Sequence, residues 1–406
     1  MKSYFLYITL VWLGGLAAGC SMTGDGHRAA EAPRPVPKKV SQKVFVHLMP
    51  WFETKKSNHP PGTWGLHWTM AREHPDSTLG GKRQIASFYY PMIGPYASGD
   101  SDVIEYQLML MKLAGVDGVF IDWPGRIALY DYPANAANTD SIIARIRKTG
   151  LHYAIVYEDQ NVGIAFRAHA ITDEIEAARQ DIRYLATHYF TDSAYEKQNG
   201  RPMLLDFGPQ TFTRDSEWTA IFSVLKTPPA FYTLWDHDFM ARSNTTGQFA
   251  WINADNTVSL KAFYQGADSG EKIASAYPGF NPYYEQGGWG GPTFVIPANG
   301  TENFRTTLQL ALQSGARYIQ IPTWNDYGEG TMIEPTEQFG YSLLTTLQQM
   351  LGVSFTQKDL EAVSRLYLLR KTRQGNSAAE QKLDEAFTAM AALQMDKARK
   401  ILKQFD

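Results

Sequence analysis

Two acids three residues apart, Asp326 and Glu329, sit in the run Thr323-Trp324-Asn325-Asp326-Tyr327-Gly328-Glu329-Gly330-Thr331-Met332-Ile333-Glu334-Pro335. On a strand that spacing sends the side chains to opposite faces. Gly328 and Gly330 permit a tight bend instead, and a bend lets both carboxylates face one cleft. Cleavage of a glycosidic bond needs such a pair: one acid protonates the leaving oxygen while the other removes a proton or attacks. Aromatic neighbours would strip water from one carboxyl and raise its pKa, which suits it to act as an acid. The bare spacing is common on solvated surfaces. The Trp flank and the glycine bracket set this instance apart.

Such a bend has to be held at the end of an element, and the sequence supplies a regular series of them. Short apolar runs alternate with helical patterns from about residue 43, the rhythm of β/α units around a parallel sheet. There are eight runs: Val44 to His47, Val116 to Asp122, Tyr153 to Tyr157, Met203 to Phe207, Phe231 to Trp235, Phe249 to Asn253, Ile273 to Tyr277, and Tyr318 to Pro322. Several are almost continuously apolar, as parallel strands buried on both faces must be. Helices are expected over Asp102 to Leu113, Asp140 to Lys148, Thr172 to Ala186 and Thr301 to Gln313. Gly115, Gly150 and Gly315 stand where three of these should stop. The fold class read from this pattern is α/β, a (β/α)8 TIM barrel over residues 43–352. An open doubly wound sheet is the runner-up, but no Gly-rich phosphate fingerprint follows the first strand.

Polar and aromatic side chains gather where the runs end, the face on which barrels build active sites. The first run ends in His47, followed by Trp51 and Glu53; the second in Asp122-Trp123; the third in Tyr157-Glu158-Asp159; the fourth in Asp206. The fifth ends in Trp235-Asp236, the sixth in Asn253, the seventh in Tyr277 with Asn281 beyond, and the eighth in Trp324-Asn325-Asp326. The long segment 50–101 adds Trp64, His67, Trp68, Tyr90 and Tyr96. The Trp residues are candidate platforms for sugar faces, the histidines and acids candidate partners for hydroxyls, and Glu334 either a cap for the next helix or a substrate contact. The Gly-rich stretch from Gly279 to Gly291 combines mobility with aromatic rings and could close over a glycan. Beyond residue 352 a capping box at Thr356 and Asp359 opens a helix with Gly375 as its stop, and Ser377 to Lys403 reads as a second helix. Residues 353–406 are therefore expected to form a C-terminal helical hairpin.

The composition agrees with a large folded body. Hydrophobic residues make up 44% of 406, and the formal net charge of −3 gives no footprint for nucleic acid. Aromatic residues reach 13%, more than a core requires. The single cysteine, Cys20, excludes an internal disulfide and multi-cysteine zinc sites. Without an HxxxH spacing no metal and no cofactor is expected. Residues 1–19 read as a secretory leader, and Leu16-Ala17-Ala18-Gly19-Cys20 resembles a bacterial lipobox, with Cys20 as the lipidated residue. The Pro-rich residues 20–42 read as a flexible tether. The expectation is a monomeric protein held at the bacterial cell envelope through a lipid anchor.

The motifs also carry a family resemblance. The run Trp324-Asn325-Asp326-Tyr327-Gly328-Glu329 resembles the active-site segment of glycoside hydrolase family 71, the α-1,3-glucanases. His47-Leu48-Met49-Pro50-Trp51-Phe52, the segment Trp64 to Trp68, Tyr90 to Tyr96 and Ile121-Asp122-Trp123 resemble family 99, the endo-acting α-mannosidases. Both imply a barrel without metal and an α-linked oligo- or polysaccharide as substrate. By resemblance, Asp326 matches the first family carboxylate, the base, and Glu329 the second, the general acid. In the mannosidases the first carboxylate is Glu and activates the substrate's own 2-hydroxyl; Asp, as in the glucanases, goes with an activated water and inversion. An α-mannoside places that hydroxyl anti to the leaving group, so internal attack is open to it, whereas an α-glucoside does not. Two rival readings are a non-catalytic glycan-binding surface lipoprotein and a structural envelope protein that docks through its C-terminal hairpin.

Overall fold

Every one of the eight apolar runs lies in or against a strand of the computed structural model, which describes residues 32–266 and 270–406. The barrel strands are β1 (Lys43–Leu48), β2 (Gly118–Trp123), β3 (His152–Tyr157), β4 (Arg201–Asp206), β5 (Ala230–Leu234), β6 (Thr245–Phe249), β7 (Glu271–Ser275) and β8 (Tyr318–Ile321). Each pairs in parallel with its neighbours, and β8 pairs with β1, so the sheet closes into a (β/α)8 TIM barrel. Closure leaves no edge, and the strand centres are wholly buried, which is why they read as apolar runs.

Two strands depart from the sequence reading. β6 ends at Phe249, where the expected strand was to begin. Its residues Thr245, Thr246, Gly247 and Gln248 are polar or small because the backbone of β7 presses on it: a Cβ at Gly247 would lie 1.9 Å from the Glu271 carbonyl oxygen. β7 sits two residues earlier than expected. The β5–β6 connection carries only two 3-10 turns, Asp238–Met240 and Arg242–Asn244, so one outer helix of the ring is missing.

The principal outer helices are α1 (Ser101–Leu113), α2 (Tyr132–Thr149), α3 (Glu174–His188), α4 (Asp215–Phe222), α5 (Thr257–Gln265), α6 (Glu302–Gln313) and α7 (Ser342–Leu351). Asp100 caps α1, its Oδ1 accepting from the Asp102 and Val103 N–H groups. Nearly all of α1 is buried, as a helix apolar around its girth must be, because the C-terminal region packs over its outer side. That region is three helices rather than a hairpin: α8 (Gln357–Thr372), α9 (Ser377–Ala391) and α10 (Met395–Leu402). The expected second helix is broken at Leu393, whose φ of 63° ends α9 without a glycine. The capping box at Thr356 and Asp359 forms, and Gly375 takes a φ of 81° beyond α8.

The leader and Cys20 lie outside the described residues. Residues 32–42, expected to be part of the tether, run along the amino ends of the strands. The Arg34 N–H donates to Ala391 O, the Lys39 N–H to Leu351 O, and Lys38 pairs with Asp117. Among the described residues no helix is long and apolar enough to cross a membrane.

Candidate active site

The turn after β8 is closed by its own backbone. The Thr323 N–H donates to Thr331 O at 3.1 Å, their hydroxyls lie 2.9 Å apart, and the Glu334 N–H donates to Trp324 O at 2.9 Å. The Thr323 hydroxyl accepts the Asp326 N–H (2.8 Å), and Asp326 Oδ1 accepts the Glu329 N–H (2.9 Å). The two acids are thereby locked to one bend. Gly330, at a φ of 66°, admits the strap that follows β7: a Cβ there would lie 2.7 Å from Asn281 O. That strap bonds to the turn, with the Asn281 N–H donating to Glu329 O and the Tyr283 N–H to Gly328 O, both at 2.8 Å. It brings the Tyr284 hydroxyl to 3.0 Å from Glu329 Oε1.

Burial and mutual charge set the protonation of the pair. Desolvation pushes Asp326 up to about 6, although backbone N–H groups and His67 stabilise its charged form. Desolvation and the Asp326 charge push Glu329 up to about 8, against the Tyr284 hydrogen bond. Across the mouth Asp122, at the end of β2, shares a hydrogen bond with Glu158, just past β3. Burial and the Glu158 charge hold Asp122 well above the ordinary carboxylate range, and burial also raises Glu158. Two carboxyls can share a hydrogen bond only if one keeps its proton. Glu158 accepts from Gln160 and Asn161 as well.

Aromatic rings close the space over Asp326. Trp51 stacks on His67 with centroids 4.2 Å apart and planes 7° from parallel, and Trp289 stands edge-on to the same ring. His67 Nε2 lies 3.3 Å from Asp131. Trp51, Phe52, His67, Met70, Tyr284, Trp289 and Asp326 enclose a cavity of about 50 Å³. That is room for one or two waters at ~30 Å³ each. A hexose is larger than this cavity.

Other residues read from the sequence as sugar contacts are placed in the walls. His47 lies inside the barrel with Nε2 2.7 Å from Gln320 Oε1, and desolvation drops its pKa to about 3, so it is a neutral core residue. Trp68 donates to Tyr96 O from a sealed position, and Tyr157 donates to Asp181. Trp123, Tyr277 and Trp324 are fully buried. Asn325 is spent on the Met49 backbone and the Tyr96 hydroxyl, and Glu53 on Asn138. Glu334 caps nothing: α7 starts eight residues later, and the carboxylate takes hydrogen bonds from Tyr96, Tyr327 and Gln107 beneath the turn. Asp206 is fully buried with neither oxygen partnered among the described residues. Trp64 binds Asp76 in a separate cavity, Tyr90 lies at another, and Trp235 with exposed Asp236 sits beyond β5. Asn253 stands beyond β6, its side chain accepting from the Asp255 N–H and the Ser259 hydroxyl.

Tyr284 and Asp131 escaped the sequence reading. Tyr284 could have been flagged by the Gly-rich strap that carries it, whereas nothing near Asp131 announced a partner for His67. Among the described residues no group of three or more His, Cys, Asp or Glu is arranged to hold a metal ion.

Comparison with known proteins adds a family. The model of glycosyl hydrolase family 99 matches residues 52–342. A glycoprotein endo-alpha-1,2-mannosidase-like protein of Mus musculus is 23% identical over 301 residues, covering 66% of this chain and 63% of that protein. The glycoprotein endo-alpha-1,2-mannosidase of Rattus norvegicus is 20% identical over 359 residues, covering 78% of this chain and 72% of that protein. The chain thus spans less than two thirds of the first of these. The solved structure of the GH99 endo-alpha-mannosidase from Bacteroides thetaiotaomicron superposes with a TM-score of 0.59 at 19% identity, covering 80% of this chain and 99% of that one. At that identity the superposition speaks for the barrel alone.

Proposed function

The chain belongs to glycosyl hydrolase family 99, and from that membership and its paired acids we propose that it hydrolyses α-linked, mannan-type glycans at Asp326 and Glu329. At neutral pH Glu329 keeps its proton and Asp326 has lost it. Glu329 donates that proton to the leaving oxygen as the glycosidic bond breaks. Asp326 accepts a proton from the oxygen that attacks the anomeric carbon. The pair carries one negative charge before and after, and neutralising Asp326 makes Glu329 easier to deprotonate at the moment its proton is needed. Trp51 and Trp289 supply faces for the sugar ring, and the Asp122–Glu158 pair accepts hydroxyls.

The observation that supports this reading is the bend itself, which ties one acid to the backbone of the other beneath an aromatic roof. Aspartate is one methylene shorter than glutamate, which favours water as the oxygen Asp326 activates. The test is incubation of the purified protein with α-mannan oligosaccharides and α-1,3-glucan, with the product anomer followed by NMR. Inversion assigns the attack to water and retention assigns it to the 2-hydroxyl. No turnover on any α-glycan, with affinity retained, would leave a glycan-binding protein.

We also propose that Cys20 anchors the chain to a membrane by lipidation. Cys20→Ala should move the protein to the soluble fraction; unchanged membrane association overturns the anchor.

A further inference from the structure

A second cavity, of about 410 Å³, is lined in part by Tyr283 of the strap that follows β7. Phe88, Tyr89, Tyr90 and Tyr283 line it together with Gln84 and Gln338. Phe88 is 40% exposed and meets the Tyr283 ring edge-on at 4.8 Å, so apolar rings are left open to solvent here. Polar groups stand ready beside them. The Gln338 side-chain carbonyl takes the Tyr90 N–H at 3.0 Å, and among the described residues neither its NH2 nor the Gln84 side-chain amide has a hydrogen-bond partner. The charges nearby sum to zero: Lys82 pairs with Glu337, and of the other two Glu73 accepts from the Tyr283 hydroxyl at 2.8 Å while the Arg83 guanidinium donates to Pro75 O and covers the Trp64 ring. Open aromatic faces, planar amides and balanced charge suit a neutral sugar better than an anionic or cationic one.

The cavity shares its wall with the catalytic turn. A Cβ at Gly330 would lie 2.9 Å from the Tyr89 ring, and Tyr283 is the residue whose N–H donates to Gly328 O. We propose that this cavity is a second sugar site, taking a neutral hexose unit of the same glycan that is cut at Asp326 and Glu329. The proposal rests on the hydrolase reading for the identity of that glycan. Occupancy here would tension the strap that holds Tyr284 on Glu329, and would favour long chains over short ones.

The test compares Phe88→Ala and Gln338→Ala with the parent on α-linked manno-oligosaccharides of increasing length. Both residues are exposed, so both variants should fold. The expected result is a fall in kcat/KM of about fivefold on long chains, the scale of one aromatic contact, with the shortest cleavable substrate unaffected. An equal effect at every length, or none, overturns the site. Calorimetry with the same oligosaccharides separates the two readings. Should the parent cleave nothing, affinity that Phe88→Ala weakens keeps the sugar site while the hydrolase reading falls. Affinity that neither variant changes removes the site.

Discussion

Buried acids at the two ends of the barrel are treated differently. At the amino ends and the α1 flank the acids are matched by cations: half-buried Asp117 by Lys38, buried Glu196 by Lys43 at 2.7 Å, and buried Glu105 by Arg145 at 2.8 Å and Arg370 at 2.7 Å. At the carboxyl ends Asp122, Glu158, Asp206, Asp326 and Glu329 form no ion pair with Lys or Arg among the described residues. The first set ties the chain together. The second holds protons that solvent would remove, at a cost in stability, and raised acids without Lys or Arg partners are what proton transfer at neutral pH requires. The contrast predicts that stability and activity can be lost separately.

Its sharpest break is at the turn that carries Asp326 and Glu329. Asp326→Asn and Glu329→Gln should each lower kcat by about 10³-fold or more. Neither should lower the melting temperature, and at pH 8 both should raise it, because an amide needs no proton to be buried there. A variant that lost activity and stability together would show the acids to be structural. Opposite in sign is Glu105→Gln on the flank. It takes the carboxylate from Arg145 and one of two from Arg370, and should cost about 2 kcal/mol, less than a fully buried unpaired charge because Arg145 keeps some exposure and Arg370 keeps Asp384. Denaturant unfolding reads that loss, and kcat should hold.

Proton linkage sharpens the comparison further. Activity should be bell-shaped, rising as Asp326 ionises near pH 6 and falling as Glu329 ionises near pH 8. Stability follows a different curve. Asp326, Glu329, Glu334 and Asp181 have folded pKa values of about 6, 8, 7 and 7, all raised first by burial. Their contribution is full below the unfolded value near ~4 and is lost as pH rises through those values. Asp131 and Asp192 run the other way. Burial opposes it, but His67 holds Asp131 low, and the Ala194 N–H and Arg147 hold Asp192 low, so their contribution goes as pH falls through the acid range. The melting temperature should therefore climb from pH 8 to about pH 5 and drop below pH 4. A maximum at pH 7 to 8 would mean the mouth acids are ionised at no cost.

What the sequence made legible divides along the same line. Seven strands announce themselves because burial on both faces demands apolar runs, and the turn with the paired acids does so through Gly328, Gly330 and Trp324. β6 does not, because its stability comes from close backbone approach at Gly247 and from a Gln248 side chain bonded to the Asp236 N–H. Tyr284 and Glu329 meet only once the strap has folded onto the turn. The buried fates of His47, Trp68 and Glu334 were equally hidden, since a polar or aromatic residue reads the same in the sequence whether it faces a cleft or a neighbouring side chain.

The smallest effects probe how finely the mouth is tuned. Tyr284→Phe removes the hydroxyl that favours the charged form of Glu329, so the alkaline limb of the activity profile should move up by less than one unit. Asp206→Asn should change least. The Asp206 carboxyl is sealed, has no partner among the described residues, and is held well above the ordinary range by burial and by the charge of Asp159. Burial favours its protonated form, and an amide of the same shape replaces that neutral form with another. Melting at pH 6 should be unchanged, and melting at pH 9 slightly higher in the variant. A clear loss at pH 6 would mean that Asp206 is ionised and matched by a cation after all, which would move it from the unpaired set at the mouth to the paired set that holds the fold.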